Sequence, residues 1–345
     1  MVLKEKFIKR CFQLAKNGLG NVSPNPLVGC VLVTNEQIIG EGFHQQYGGL
    51  HAEPNAILNV KDSSLFPKST LYVNLEPCSH HGKTPPCADL IIEKGIKNVV
   101  ICNLDPNPMV AGNGINKLQN AGINVITGVL EKEGLELNRR FFTFMTKKRP
   151  YIILKWAQTL DGFMDIDRTA NSSDYWITNN RLKTLVHKWR TEEDAIMVGT
   201  NTVQTDNPLL TARQWNGKNP TRIVIDNSLR LDKNSAVFNS DAKTLVYTSK
   251  QEKSKDTIEY IQTDFSNLVP NMLNDLYQRG IQSVIVEGGK ELLSSFISAN
   301  LWDEARVLIG NKVFVKGLKA PKLPISPERI SSIDEDKVLF YRNRS

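Results

Sequence analysis

No stretch of this 345-residue chain approaches the roughly 18 uninterrupted apolar residues that a membrane span requires, so no membrane partner is expected. The opening residues MVLKEKFIKRCFQLAKNGLG lack the continuous apolar centre of a secretory signal. Instead Leu3, Phe7, Cys11, Leu14 and Ala15 recur at helical spacing among charges, which predicts an amphipathic helix. Cysteine is scarce, and its count of five is odd. Without a secretory signal, that count argues against a disulfide framework and for reduced thiols in a soluble, cytoplasmic protein, either as buried fillers or as metal ligands. No GxGxxG follows residue 150, so a Rossmann dinucleotide fold has no direct support there. Acidic residues are outnumbered, 36 against 43 Lys and Arg, for a net charge of +7. The basic excess is scattered. Its densest run, TKKRP at 146–150, reads as exposed linker rather than a nucleic-acid patch, and phosphorylated small molecules suit the same charge.

What the chain does have is a repeated grammar. In IIEKGIKNVVICN, LQNAGINVITGV and LYQRGIQSVIVEGG a helical pattern ends at a glycine (Gly95, Gly122, Gly280), and Ile then opens a β-branched run. Two of these helix-to-strand joints precede residue 130 and one follows 270, so both halves are expected to be α/β layers; they are too irregular for a solenoid. LVGCVLVTNEQIIGEGFH reads as two strands around an Asn-Glu turn, residues 52–60 as a helix, TLYVNL as a strand, and 131–145 as one closing helix. YIILKWAQTLDG opens a fresh buried strand after KKRP. The seam is placed between Thr146 and Tyr151, giving domains 1–146 and 151–345.

Two segments of the first half carry metal-ligand chemistry. HAE at 51–53 cannot present two ligands on one helical face as HExxH does, but at an open first turn His51 can lean toward a metal while Glu53 reaches over the metal's free position. Pro54 suits that placement. In KTPPCADLIIEKG, Thr84 is a candidate N-cap, with Pro85 at the first helical position and Cys87 in the first turn, where the helix end favours a thiolate. Cys78 follows a strand and Pro77 and would face it. One imidazole and two thiolates leave a fourth position open to water, the catalytic pattern for Zn2+. Glu53 could then take the water's proton and pass it to a departing amine, as in the H-x-E, P-C-x-x-C signature of zinc-dependent base deaminases, from which this chain departs by placing eight residues between its cysteines. Cys11, Cys30 and Cys102 sit in helix or strand patterns and read as core packing.

The second half is less explicit. SVIVEGGKELLSSFI is a strand, a Gly-Gly pair and a helix, either a phosphate cradle around Gly289 or an ordinary tight turn. VGTNTVQTDNPLLTAR, leading out of the strand DAIMVG, is either a ligand loop or an exposed capped one. Arg190 and Arg213 suit phosphate. His187 reads as a helix-surface residue.

The inserted loop SHHGKTPPC, with PNPLVGCVL at 24–32, DPNPMVAGNGI at 105–115, LKWAQTLDG, WIT, VGTNTVQTDNPLLTAR and VEGG, resembles the bifunctional riboflavin-biosynthesis deaminase/reductases of bacteria over essentially the whole chain. The resemblance implies an α/β protein with an N-terminal cytidine-deaminase-like domain built on a mixed sheet and a C-terminal domain similar to dihydrofolate reductase. It implies hydrolytic deamination of a 2,5-diamino-6-(5-phosphoribosylamino)pyrimidinone, followed by NADPH-dependent reduction of the ribose to ribityl. It further implies that His51, Cys78 and Cys87 hold zinc, that Glu53 shuttles protons, and that Asn25, His44, His80 and Lys83 line the first pocket. In the second half it implies cofactor contacts from Ala157, Trp176, Thr202, Asp206 and Gly289, and contacts to the sugar phosphate from Lys155, Asp174, Arg190, Leu210, Arg213 and Glu287, with Lys155 and Asp206 taking part in the chemistry. Association through the reductase half is implied as well. A nucleic-acid deaminase would need a basic channel or an aromatic platform beside 51 and 78, and neither is written there. A zinc-stabilised binding module would close the fourth position and leave Glu53 without a task.

Overall fold

Alternation in GCVLVT sends Cys30 and Leu32 to one side of a strand and Val31 and Val33 to the other, and both sides are buried. A sheet covered on both faces follows. The computed structural model describes residues 2–79, 85–107, 111–166 and 176–344, and the chain divides into two units, Met1–Lys148 and Arg149–Ser345. In the first unit, helix α1 (Val2–Ala15) precedes a hairpin of β1 (Gly29–Thr34) and β2 (Gln37–Phe43). Its two-residue turn, Asn35-Glu36, has both φ values positive, 49° and 64°, matching the twist of the flanking strands. Then follow α2 (Ala52–Leu58), β3 (Thr70–Leu75), α3 (Cys87–Glu93), β4 (Asn98–Asn103), α4 (Asn113–Asn120), β5 (Asn124–Ile126), α5 (Glu131–Leu137) and α6 (Arg139–Lys147).

Among the described residues the sheet runs β2-β1-β3-β4-β5, with β1 antiparallel to both neighbours and β3, β4 and β5 parallel. Phe7 and Cys11 of α1 pack with Val31, Val33, Tyr72 and Val100 on one face. Ala56 and Ile57 of α2 and Ile91 of α3 pack with Cys30, Leu32, Leu71 and Val73 on the other. Cys11, Cys30 and Cys102 are buried fillers in these two layers. Gly95 and Gly122 end α3 and α4 at φ +70° and +78°. In each case the N–H of the following Ile bonds back across the last turn (Ile96 to Ile91, 3.3 Å; Ile123 to Leu118, 3.1 Å), which closes the helix and packs two apolar side chains together. The closing helix expected over 131–145 is instead two helices broken at Asn138. That side chain is spent elsewhere: its amide accepts from Leu27 N at 2.8 Å and donates to Leu27 O at 2.9 Å.

The second unit comprises β6 (Tyr151–Thr159), β7 (Phe163–Asp165), α7 (Asn180–Glu192), β8 (Ala195–Gly199), α8 (Thr200–Asp206), β9 (Thr221–Ile225), β10 (Thr244–Thr248), β11 (Ile258–Gln262), α9 (Leu268–Gln278), β12 (Ser283–Val286), α10 (Lys290–Ser298), β13 (Glu304–Gly310), β14 (Leu318–Lys319), β15 (Arg329–Ile333) and β16 (Asp336–Arg342). Among the described residues its main sheet has nine strands, ordered β11-β10-β9-β8-β12-β6-β13-β16-β15. The first seven in that order are mutually parallel, and β16 and β15 close the edge antiparallel. Such strands are covered on both faces, which explains the near-continuous apolar runs YIIL, AIMV and SVIV. Gly280 ends α9 at φ +75° with the same closure, Ile281 N to Leu276 O at 3.1 Å. Lys155 and Ala157 share with Ile153 the face of β6 that packs under α7. Residues 200–206, expected as loop, form helix α8 directly off β8. Arg149, expected as part of an exposed linker, makes a two-pronged ion pair with Asp303 at 2.6 and 2.8 Å.

Candidate active sites

His51 occupies the N-cap of α2 with extended backbone (φ −70°, ψ 173°), and its ring does not cap the helix. Glu53 lies in the first turn, 3% exposed. Two glycines let α2 lie close on β2. A Cβ at Gly42 would stand 2.4 Å from Ala56 N, and one at Gly40 would stand 2.5 Å from Ala56 O. Asn55 and Asn59 rivet the contact by donating to Phe43 O (2.8 Å) and Glu41 O (2.9 Å). Cys78 follows β3, and Cys87 is the first residue of α3. The helix begins two residues later than its sequence suggests, with Pro86 rather than Thr84 at the N-cap, because Pro86 disfavours helical backbone at Pro85. Thr84, His80 and Lys83 lie outside the described residues.

The ligand atoms of His51, Cys78 and Cys87 all lie within 4.8 Å of one another. His51 Nδ1 is 3.6 Å from Cys78 Sγ and 3.4 Å from Cys87 Sγ. Tetrahedral zinc with ordinary Zn–S and Zn–N lengths separates such ligands by about 3.5 Å, so the donor set and its spacing fit the ion. Asp89, also near in sequence, is instead ion-paired with Lys117. The two cysteines are electrostatically unequal. Cys78 Sγ accepts from Cys87 N at 3.3 Å. The Cys87 thiol and then His51 hold Cys78 down to about 4, whereas Cys87 is pushed well above its ordinary value by Cys78 and by burial. Burial first, then the Cys78 thiolate, push the Glu53 carboxyl up to about 7, the range a proton shuttle at neutral pH requires.

His44, 2% exposed, stands edge-on to His51 with ring centroids 5.5 Å apart. Its Nδ1 donates to Leu50 O at 2.9 Å, and its Nε2 faces the Asn25 amide at 3.0 Å. Both ring nitrogens are therefore engaged within the protein, and the half-buried Asn25 is held beside the ligand cluster. Sequence reasoning missed a role for Glu76. Its buried carboxylate accepts from the backbone N–H groups of Gly112 and Gly114, each at 3.0 Å, and of Asp105 and Ile115, each at 3.3 Å. It thereby ties Asp105 and the start of α4 to the segment that carries Cys78.

In the second unit Glu287, at the end of β12, gathers two cations. Arg190 of α7 meets it with two parallel bonds, 3.0 and 2.7 Å, and Lys155 Nζ stands 3.5 Å away. Burial alone would raise Glu287, but Arg190 and Lys155 outweigh it and hold the group at about 2, while burial lowers Lys155. One carboxylate thus stands between two cations. Arg190 also donates to Thr211 O at 3.1 Å. That carbonyl follows Leu210, which is buried in left-handed backbone (φ +55°), and precedes the exposed Arg213. Thr202, in the first turn of α8, lies against the Gly288-Gly289 pair; a Cβ at Gly289 would come within 3.2 Å of its Oγ1. Ala157 is half-buried two residues beyond Lys155, and Asp206 is exposed at the end of α8. Trp176 is exposed, with Lys183 Nζ 4.1 Å above its ring and Lys312 donating to its carbonyl. Asp174 lies outside the described residues. His187, expected on the helix surface, is 2% exposed; Arg190, one turn on, bonds the Thr211 carbonyl, so the segment bearing Thr211 lies over this part of α7.

Residues 1–103 match the cytidine and deoxycytidylate deaminase zinc-binding region, and residues 150–332 match the RibD C-terminal domain. The riboflavin biosynthesis protein RibD of Aquifex aeolicus is 39% identical over 356 aligned positions, covering 99% of this chain and 98% of that protein. The Escherichia coli K12 protein of the same name is 36% identical, covering 90% and 88%. A diaminohydroxyphosphoribosylaminopyrimidine deaminase/5-amino-6-(5-phosphoribosylamino)uracil reductase of Thermotoga maritima, known as a crystal structure, superposes with a TM-score of 0.90 at 42% identity over 99% of both chains. Full-length similarity at this level, joining a zinc-binding deaminase region to a reductase domain, places the chain in the family of bifunctional riboflavin-biosynthesis deaminase/reductases.

Proposed function

We propose that the first unit hydrolyses the 2-amino group from 2,5-diamino-6-(5-phosphoribosylamino)pyrimidin-4-one, and that the second reduces the ribosyl group of 5-amino-6-(5-phosphoribosylamino)uracil to ribityl with NADPH. The observation that carries the first half is the spacing of His51 Nδ1 from the two sulfurs, 3.4 and 3.6 Å, with Glu53 buried two residues beyond a ligand. His51, Cys78 and Cys87 would hold a zinc ion, whose Lewis acidity makes water ionise near neutral pH. Glu53 takes that water's proton and returns it to the departing amine, so water and substrate become the pyrimidinedione and ammonia. Asn25 orients the ring, with His44 holding Asn25.

In the second unit Thr202, the Gly288-Gly289 pair, Ala157, Trp176 and Asp206 would hold NADPH, which supplies hydride. The absence of a side chain at Gly288 and Gly289 leaves room for a phosphate beside the start of α10. Lys155 and Glu287 orient the sugar, and Arg190 and Arg213 counter its phosphate. A phosphorylated metabolite, not a polynucleotide, accounts for the basic charge. Among the described residues no helix is long and apolar enough to cross a membrane. The test is sequential: ammonia release from the diaminopyrimidine, then NADPH consumption when the deaminated uracil is supplied. Failure of either step removes the matching half of the proposal.

A further inference from the structure

Glu76 is a buried carboxylate outside the ligand and proton-transfer set. It directly follows the last residue of β3 and is 4% exposed. Its oxygens divide four backbone donors evenly: Oε1 accepts from Gly114 N at 3.0 Å and Ile115 N at 3.3 Å, Oε2 from Gly112 N at 3.0 Å and Asp105 N at 3.3 Å. Three of the four belong to the opening turn of α4, whose N–H groups have no partner within the helix and favour a negative charge. The N-cap residue, Gly112, has no side chain to serve them. The acceptor comes instead from a strand exit 36 residues earlier. Backbone makes the same contact next door: a Cβ at Gly114 would stand 2.1 Å from Pro77 O, so α4 is seated on the residue before Cys78. Leu118, fully buried, anchors that helix in the core. On its other side Cys78 meets the start of α3, its carbonyl accepting from Ala88 N at 3.1 Å and its Sγ from Cys87 N at 3.3 Å. Glu76-Pro77-Cys78 thus runs between two helix starts, one of which carries the second cysteine.

We infer that Glu76 is a positioning residue of the metal centre: by fixing the exit of β3 on the start of α4 it sets Cys78 Sγ at its distance from His51 and Cys87. The inference rests on the reading of His51, Cys78 and Cys87 as zinc ligands. Contacts that orient a ligand in this way carry about 10- to 100-fold in metal affinity. Glutamine cannot take over the task, because its amide nitrogen has no acceptor capacity and would face two of the four N–H groups.

The test titrates Zn2+ into the metal-free, reduced full-length protein against a chromophoric chelator and follows urea unfolding of the same samples. Glu76→Gln should lower zinc affinity by about tenfold or more in protein that is still folded. Gly114→Ala displaces Pro77 without touching the carboxylate and should lower it as well. Phe7→Leu controls for a general softening of the unit: it opens a gap under α1, on the sheet face opposite α2 and α3, and should lower stability while zinc affinity stays parental. Parental zinc affinity in either Glu76→Gln or Gly114→Ala where it folds, failure of both to fold, or an equal loss of affinity in Phe7→Leu overturns the positioning role. Cys78→Ser separates the two levels of the argument, since it removes a ligand outright and should bind zinc more weakly than Glu76→Gln. If it binds zinc as tightly as the parent, the ligand reading itself falls; if it loses zinc while Glu76→Gln binds normally, only the positioning role falls.

Discussion

Replacing Glu53 by Gln should weaken the enzyme and strengthen the fold at once. The carboxyl is 3% exposed and is pushed up to about 7 by burial and then by the Cys78 thiolate, with His51 opposing. Its ordinary value is 4.5. Because the folded value lies above the unfolded one, the fold disfavours the charged form. Nothing is lost below about pH 4.5, where the group is protonated in both states; the penalty grows as pH rises and is complete above about pH 7. The gap between 4.5 and about 7 corresponds to about 3 kcal/mol. A glutamine of the same size is neutral throughout. Metal-free Glu53→Gln should therefore be more stable than the parent by about 3 kcal/mol at pH 8 and equal to it at pH 4, as read by urea unfolding. Ammonia release should fall about 10²- to 10⁴-fold, the usual loss for a general acid-base group. Zinc content and reduction of supplied uracil intermediate should stay at parental levels. A variant no more stable at pH 8 would refute the burial argument. One that releases ammonia normally would refute the proton-shuttle role, and a folded one that loses both activities would mean the two sites are not independent.

Three other perturbations follow from the same geometry. Cys87→Ser should lose zinc and deamination together while Cys102→Ser, altering only a core filler, keeps both; elemental analysis beside an ammonia assay decides it, and active parent protein should carry one zinc per chain. Gly42→Ala would drive a Cβ to 2.4 Å from Ala56 N and 2.6 Å from Asn55 C, backbone atoms of the helix bearing His51 and Glu53. Deamination should drop with a destabilisation of about 1–3 kcal/mol while reduction persists, measured by the two assays and denaturant unfolding. Asp206→Asn should impair NADPH oxidation and leave ammonia release intact; the opposite profile would remove Asp206 from the reductase site.

The two sites differed in how much of them could be read from residues alone, and the difference is one of sequence distance. His51 and Glu53 share one helix start, and Cys78 and Cys87 bracket one loop, so local rules about caps, prolines and thiolates reach all four. Even there α3 starts two residues later than the cap pattern predicts, because the Pro85-Pro86 pair satisfies a rule for opening a helix and a rule against being in one, and the second prevails. The cluster of Lys155, Arg190 and Glu287 is assembled from a strand interior, a helix end and another strand's exit, and no local pattern connects them; only the family resemblance named them together.

The residues whose surroundings differ from their sequence pattern share a cause. His187 sits in LVHKWRTEE, where an imidazole among cations looks solvent-facing, and nothing in that stretch announces that the segment around Thr211 will fold over this part of the helix. The break between α5 and α6 is equally silent, because Asn138 leaves the helix to serve a backbone 111 residues away, at Leu27. Asn74 serves the same strand entry, accepting from Gly29 N at 2.7 Å and donating to Leu27 O at 2.9 Å. Two buried amides, one from β3 and one from the break between α5 and α6, thus pin the residues that follow Asn25, so that its side chain meets His44 beside the metal ligands. A polar side chain buried in this way costs free energy unless its donors and acceptors are all met. The partners that meet them are supplied by tertiary structure, which is why such residues carry the least legible and most constraining information in the chain.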